Sequence, residues 1–527
     1  MRGSEVTVLP RPMPPGLKRW IVRAHMYLGV AFAALSVMWF ASGIVLAYNT
    51  FPVLLDADRL RVAPPLDCAA CRVSEAEAMR VAGIPDHQST PARLGMLGAR
   101  PVWRIVDVEE KWHAVFADSA VRVPPVDSAA GAAIAVAFVR SVSPETAAQV
   151  GARYLGTLRA PDQWTLEQPL PSQLPLLRFD VTDDAGTRVY VSQSGAEAVT
   201  TSTRHQRTMA WLGAIPHWIY PTLLRRHVHA WSLSIIALSA LGTLMSLAGL
   251  TIGVWQWRWR VRRRRDGTRR PRTPYREFMM RWHHLLGLMF GLFTCSWMFS
   301  GLMSMNPGEW SPGSTPRASV RTRWSGADGA VVPVQVAAAD AWRVMRAGGH
   351  AVNEMQLNRI AGRPYWVGVA RDGHAVLVTA DSIAASTTAI AEADLIRNAT
   401  RSLGGAHVLD VALLDAGDDY FRETPEHRLA SPVVRLRFDD PAATWLYVDP
   451  ATGALRGAFE ARSRQERWLY SGLHDLDFRW LLNHRPLWDV LIVGLSVGGL
   501  LGSLSGTILA IRWLRDARRP APRFRRR

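Results

Sequence analysis

VRAHMYLGVAFAALSVMWFASG (Val22–Gly43) and MRWHHLLGLMFGLFTCSWMFSG (Met280–Gly301) are the stretches whose reading decides the fold. At a constant shift of 258, Arg23, His25, Leu28, Gly29, Phe32, Trp39, Ser42 and Gly43 meet Arg281, His283, Leu286, Gly287, Phe290, Trp297, Ser300 and Gly301. Each stretch sits in an apolar run, Trp20–Tyr48 or Met279–Met305, with no charge in its middle. Two more such runs occupy Ala230–Trp257 and Leu487–Leu514. A hydrocarbon core takes about 20 helical residues to cross, and a segment inside it must satisfy its own backbone, so each run predicts a membrane-spanning helix. The first run is too long for a signal-peptide core and no small-residue cleavage site follows it, so it reads as a retained helix.

The repetition extends outward from these runs. At a shift of 257, Trp231, Gly242, Ser246 and Gly249 of the second run meet Trp488, Gly499, Ser503 and Gly506 of the fourth. Between the runs, LLRFDVTDDAGTRVYV (Leu176–Val191) lies over VVRLRFDDPAATWLYV (Val433–Val448), and ARPVWRI (Ala99–Ile105) resembles GRPYWVG (Gly362–Gly368). Alternation such as VYV and WLYV between Gly and Asp turns predicts strands in hairpins. Val73–Ala82 and Val336–Arg346 read as short amphipathic helices ahead of strands. A unit of outgoing helix, α+β segment and returning helix therefore occurs twice, as parallel repeats about an axis along the membrane normal.

The net charge of +18 sits on one side of this arrangement. The N-terminal stretch to Arg23 carries +4, the loop Trp257–Arg281 carries +9 and the tail Arg512–Arg527 carries +7. The positive-inside rule then places both termini and the basic loop in the cytoplasm. Runs such as RWRVRRRR are explained by topology and anionic lipid, without nucleic acid. The expected order is 1–19 cytoplasmic, 20–48 span, 49–229 outside, 230–257 span, 258–278 basic loop, 279–305 span, 306–486 outside, 487–514 span and 515–527 basic tail. Cys295 falls in the third span, and Cys68 and Cys71 form a CxxC outside, where a local disulfide leads and a metal or redox role stays open. No His follows Cys71, which excludes a CxxCH haem attachment. GxGxxG after a strand, HExxH, GxSxG and P-loop patterns are all missing, so flavin, nicotinamide, zinc-hydrolase and ATPase chemistry lack their parts.

Histidine inside a span is rare and is a functional hypothesis by default. His25 and His283 are repeat partners near the cytoplasmic ends of their runs, at equal depth on opposite sides of the repeat axis. Two neutral imidazoles facing each other suit the axial positions of a haem iron. An outer pair is expected from His217 with His474, then from His227 or His229 with His474 or His484. His227 and His229 are about 200° apart on a helix, so only one can face the bundle. His229 and His284 have no repeat partner. The competing reading is that boundary histidines bind headgroups or carbonyls, and that Gly29, Ala33, Gly287 and Gly291 permit close helix packing instead of making room for a porphyrin.

RxHxxLG…SG at Arg23–Gly43 and Arg281–Gly301, IPHWIY (Ile215–Tyr220), LHDLDF (Leu473–Phe478), RPLWD (Arg485–Asp489) and the hairpins ending VYV and LYVDPATG resemble the PepSY-associated transmembrane family, from about Leu17 to Leu514. The resemblance implies a four-helix membrane bundle with two periplasmic α+β PepSY-like domains in the bacterial inner membrane. It also implies two b-type haems, as in that family's siderophore reductases, held by His25, His283, His217 and His474. The implied partners are a ferric siderophore or chelate outside and a quinol or cytoplasmic electron donor. Trp164, Asp419 and Tyr420, with Phe421, are expected substrate contacts at the outer face. The alternative is a PepSY-type sensor or protease-regulating protein without haem. Transport of the chelate is disfavoured, since no span carries a mid-membrane Pro or carboxylate.

Overall fold

A computed structural model describes residues 14–85, 92–142, 150–167, 170–259, 271–330, 332–382, 385–421 and 432–518. Most of the N-terminal stretch, the centre of the basic loop and the end of the basic tail lie outside these described residues.

Four helices are long and apolar enough to cross a membrane: Pro15–Leu46, Val228–Gln256, Phe278–Met303 and Arg485–Ala517. They cover all four expected spans. The first starts five residues before the apolar run, because Pro15 occupies a position where a missing N–H costs nothing and the fixed φ suits a helix. The fourth likewise begins with Pro486 in its first turn and runs on to Ala517. The first span packs against the second and fourth, and the third packs against the same two. The first and third therefore face each other diagonally, and so do the histidines they carry.

The chain between the first and second spans makes a helix, Glu75–Ala82, and a meander of β1 (Ala92–Leu97), β2 (Arg100–Val106) and β3 (Trp112–Phe116). A second helix, Ser128–Val142, then packs on β4 (Ala152–Leu158), β5 (Leu176–Val181), β6 (Arg188–Ser192) and β7 (Glu197–Ser202). Between the third and fourth spans the same order returns. Helix Ala338–Ala347 precedes β8 (Glu354–Ile360), β9 (Arg363–Val369), β10 (Ala375–Thr379) and β11 (Thr387–Thr388). Helix Glu392–Ser402 precedes β12 (Val408–Leu414), β13 (Val433–Phe438), β14 (Trp445–Val448) and β15 (Leu455–Phe459).

The two segments are joined through one sheet. β1 pairs antiparallel with β8 at Leu94 and Met355, giving one seven-stranded sheet ordered β11-β10-β9-β8-β1-β2-β3. One core serves both contributions, with Trp103 and Trp366 at 6.1 Å between ring centroids. Their indole N–H groups donate to Val73 O and Val336 O at 3.0 and 2.9 Å, so neither buried donor is left unpaired. β4–β7 and β12–β15 remain independent antiparallel sheets, each in sequential order.

A charge cluster pins this joint. Arg59 and Arg93 both donate to Glu354, at 2.6 and 3.2 Å, and Arg93 also pairs with Glu197. Buried Arg104 lies 3.5 Å from Glu197 and donates to Gly195 O at 2.9 Å. Cys68 and Cys71 are disulfide-bonded and buried in the shared core, while Cys295 is free in the third span.

Candidate functional site

The diagonal placement of the first and third spans brings His25 and His283 together, with ring centroids 6.1 Å apart. A metal–imidazole bond is about 2 Å. Two such bonds end to end, with the ring radii added, separate the centroids by about 6 Å. His25 Nδ1 lies 3.0 Å from the Met245 carbonyl, and His283 Nδ1 lies 3.0 Å from Ser505 Oγ. Ser505 donates its own proton to Gly502 O at 2.6 Å, so its oxygen is left to accept. Both rings are therefore held as Nδ1–H tautomers, with the Nε2 lone pair available. Neither Nε2 has a hydrogen-bond partner among the described residues.

The rings sit where the facing helices carry no side chain. A Cβ on Gly249 would come within 2.5 Å of His25 Cε1, and one on its counterpart Gly506 within 3.1 Å of His283 Cε1. Beside the pair is a cavity of ≈460 Å³, walled by Gly29, Ala33, Gly287, Gly291, Phe290 and Gly502 among others. That is within the range of small-molecule and cofactor sites. Gly29, Ala33, Gly287 and Gly291 thus border open space, as room for a planar group requires.

His284, next in sequence to His283, is buried and fully engaged. Its Nδ1 meets Thr273 Oγ1 and its Nε2 meets Gly253 O, both at 2.9 Å. Trp257 and Tyr275 meet it edge-on. It ties the segment before the third span to the second span and has no nitrogen left for a metal.

The second pair, His217 and His474, lies at the other end of the bundle, with ring centroids 6.0 Å apart. Neither histidine is on a span. His217 ends the short helix Ala214–His217, and His474 follows a π-helical turn, Trp468–Gly472. Each reaches back to the end of a span. His217 Nδ1 is 3.1 Å from Trp39 O and 3.4 Å from Ser42 Oγ. His474 Nδ1 is 3.0 Å from Ser300 Oγ, which donates to Trp297 O. Trp39 also donates from its indole to the His217 carbonyl at 2.9 Å. Burial pushes both imidazoles down to about 4, so they are neutral at ordinary pH. As in the first pair, acceptors at Nδ1 leave Nε2 as the free lone pair.

His227, His229 and His484, the alternatives for this pair, are exposed. His227 and His484 cap the second and fourth spans, and His484 Nδ1 is taken by Trp480 O at 2.8 Å. A pair of His217 with His474 is the one that forms.

The residues expected as substrate contacts pack against neighbours in their own modules. Trp164 is 8 % exposed and stacks on Phe51 at 5.8 Å, so it offers no outer surface. Tyr420 packs edge-on to Trp445 at 5.2 Å and takes a hydrogen bond from Trp468. The Asp419 carbonyl accepts from Arg467, and Phe421 stacks on Tyr447. These aromatic residues cap their modules because a sheet face exposed at its end must be covered.

PepSY-associated TM region is the family that matches, over residues 22–415. The chain belongs to it. The match takes in the first three spans and ends in β12's flank, ahead of the fourth span. No curated protein matches the chain. Within this PepSY-associated chain, no three His, Cys, Asp or Glu side chains are grouped so as to hold a metal ion among the described residues. Two facing imidazoles are too few for a bare ion but are the number a haem iron takes, since porphyrin nitrogens fill its other positions. The glycine seats were visible in sequence as repeat partners, but their role as ring seats was not. The Ser505 and Met245 contacts left no sequence signal.

Proposed function

We propose that this protein is an inner-membrane reductase that carries two b-type haems and passes electrons outward to a ferric siderophore or similar ferric chelate, releasing Fe(II) for uptake. The supporting observation is the pair of facing histidine couples at opposite ends of one bundle, with every Nδ1 pinned and no hydrogen bond at any Nε2 among the described residues. Bound there, haem iron supplies a one-electron carrier at each end. Seventeen residues separate His25 from Ser42 on the first span, about 25 Å along the helix axis. One crossing thus becomes a shorter hop between two sites.

The chain's own residues fix the geometry. Pinned Nδ1 groups orient the rings and raise their basicity as ligands. The mostly apolar cavity walls give the first site a low-polarity lining. The donor is a quinol or a cytoplasmic reductant. The acceptor takes one electron per Fe(III), and softer Fe(II) leaves a hard oxygen chelator more readily.

The same reading places the termini and basic loop in the cytoplasm and the sheets in the periplasm, where the Cys68–Cys71 bond suits an oxidising compartment. It also takes the chain as a tandem duplication. The recurring helix–sheet order and the shared shift of 257, which joins Gly249 to Gly506 and His217 to His474, support that.

The test is reduction across a membrane. Proteoliposomes with dithionite trapped inside and a ferric hydroxamate outside should generate Fe(II), trapped by ferrozine, faster than empty vesicles. The His283→Ala and His474→Ala variants should lose this activity. A wild-type rate equal to that of empty vesicles would reject the proposal.

A further inference from the structure

The four paired histidines share a plan with one exception. Three of the rings have a serine hydroxyl and a carbonyl at Nδ1: Ser505 with Gly502 O for His283, Ser300 with Trp297 O for His474, and Trp39 O, the nearer acceptor, with Ser42 for His217. His25 meets a carbonyl alone, that of Met245. The counterparts at shift 257 explain this. Met245 corresponds to Gly502, so the carbonyl is kept, but Ala248 stands where the other half has Ser505. The two rings of one pair are thus pinned by acceptors of different strength.

A hydrogen bond from Nδ1–H makes the imidazole a stronger electron donor, and its strength is one of the levers on a haem's potential. An amide carbonyl accepts more strongly than a hydroxyl. On the His283 side, Ser505 accepts at Nδ1 and donates its own proton to the neighbouring Gly502 carbonyl, taking up part of that carbonyl's capacity.

We propose that Ser505 is a positioning residue that raises the midpoint potential of the haem held by His25 and His283, and that Ala248 leaves His25 the stronger donor of the two. This rests on the two-haem reading above. Ser505→Ala leaves His283 with the Gly502 carbonyl alone and makes the site carbonyl-pinned on both sides. Ala248→Ser adds a hydroxyl on the other side and makes it serine-pinned on both sides.

The experiment is a spectroelectrochemical redox titration of the purified full-length protein, after pyridine haemochrome quantification. Ser505→Ala should lower the midpoint of one haem, Ala248→Ser should raise the midpoint of the same haem, and Ser505→Thr should keep the wild-type value. The haem lost in His283→Ala identifies which component moves. Should Ser505→Ala shed its haem, the opposite shift in Ala248→Ser still decides the matter. Two haems with unmoved midpoints, or a shift in the component lost in His474→Ala, would overturn this inference and leave the two-haem reading intact. A wild-type protein with no haem would overturn both.

Discussion

The two histidine pairs have nearly the same spacing, 6.1 and 6.0 Å, but are built from different parts of the chain. His25 and His283 ride on spans, and their depth and direction follow from helix geometry alone. His217 and His474 hang from short elements outside the spans and reach back to Ser42 and Ser300. The first pair depends on bundle packing, and the second depends on the sheets being docked above the bundle. A perturbation of either region should separate them.

The largest separation is expected from Gly249→Val. Its side chain would occupy the seat of the His25 ring, where even a Cβ stands 2.5 Å from Cε1. Haem analysis should find the first site empty and the second filled. Gly506→Val should do the same more weakly, since its Cβ would stand 3.1 Å from His283. Equal loss at both sites would break the comparison.

Glu354→Ala attacks from the other side. It leaves Arg59 and Arg93 without their shared carboxylate in a half-buried cluster, and breaking such a pair costs about 3–5 kcal/mol. On heating, the His217–His474 site should release its haem before the His25–His283 site does, with the sheets becoming open to protease. The disulfide closes so short a loop that its removal, Cys68→Ser with Cys71→Ser, should cost about 2 kcal/mol or less, with both sites retained.

A pH response is expected from the second pair as well. Burial lowers His217 and His474 from 6.5 to about 4, so the unfolded chain binds more protons between those values. Stability is therefore full above about 6.5 and falls as pH drops toward 4. The unfolding temperature of haem-free protein should decline over that window. Gln at both positions should flatten the decline, and an unchanged slope would show that these rings are not the source.

Much of this was legible in sequence, for identifiable reasons. A span needs a continuous apolar run, and all four were visible. His25 with His283, and His217 with His474, could be paired because they recur at fixed shifts. Their nearness then follows from a diagonal four-helix arrangement. The joining of β1 to β8 was not legible, because pairing between distant strand edges uses backbone groups and leaves no residue pattern. Nor was the Arg59, Arg93, Arg104, Glu197 and Glu354 cluster, which has no internal repeat and is assembled from five separated positions. Trp164 and Tyr420, expected as substrate contacts, pack on Phe51 and Trp445, and an aromatic beside a turn looks the same in sequence whether it caps a module or meets a ligand.

The most direct measurement is the visible spectrum of the detergent-purified protein, oxidised and dithionite-reduced, with pyridine haemochrome quantification, alongside His283→Ala and His474→Ala. A sharp reduced α-band with about two b haems per chain, falling to one in each variant and to none in the double variant, is the predicted result. A colourless wild-type protein that also fails to bind added haemin would contradict the account.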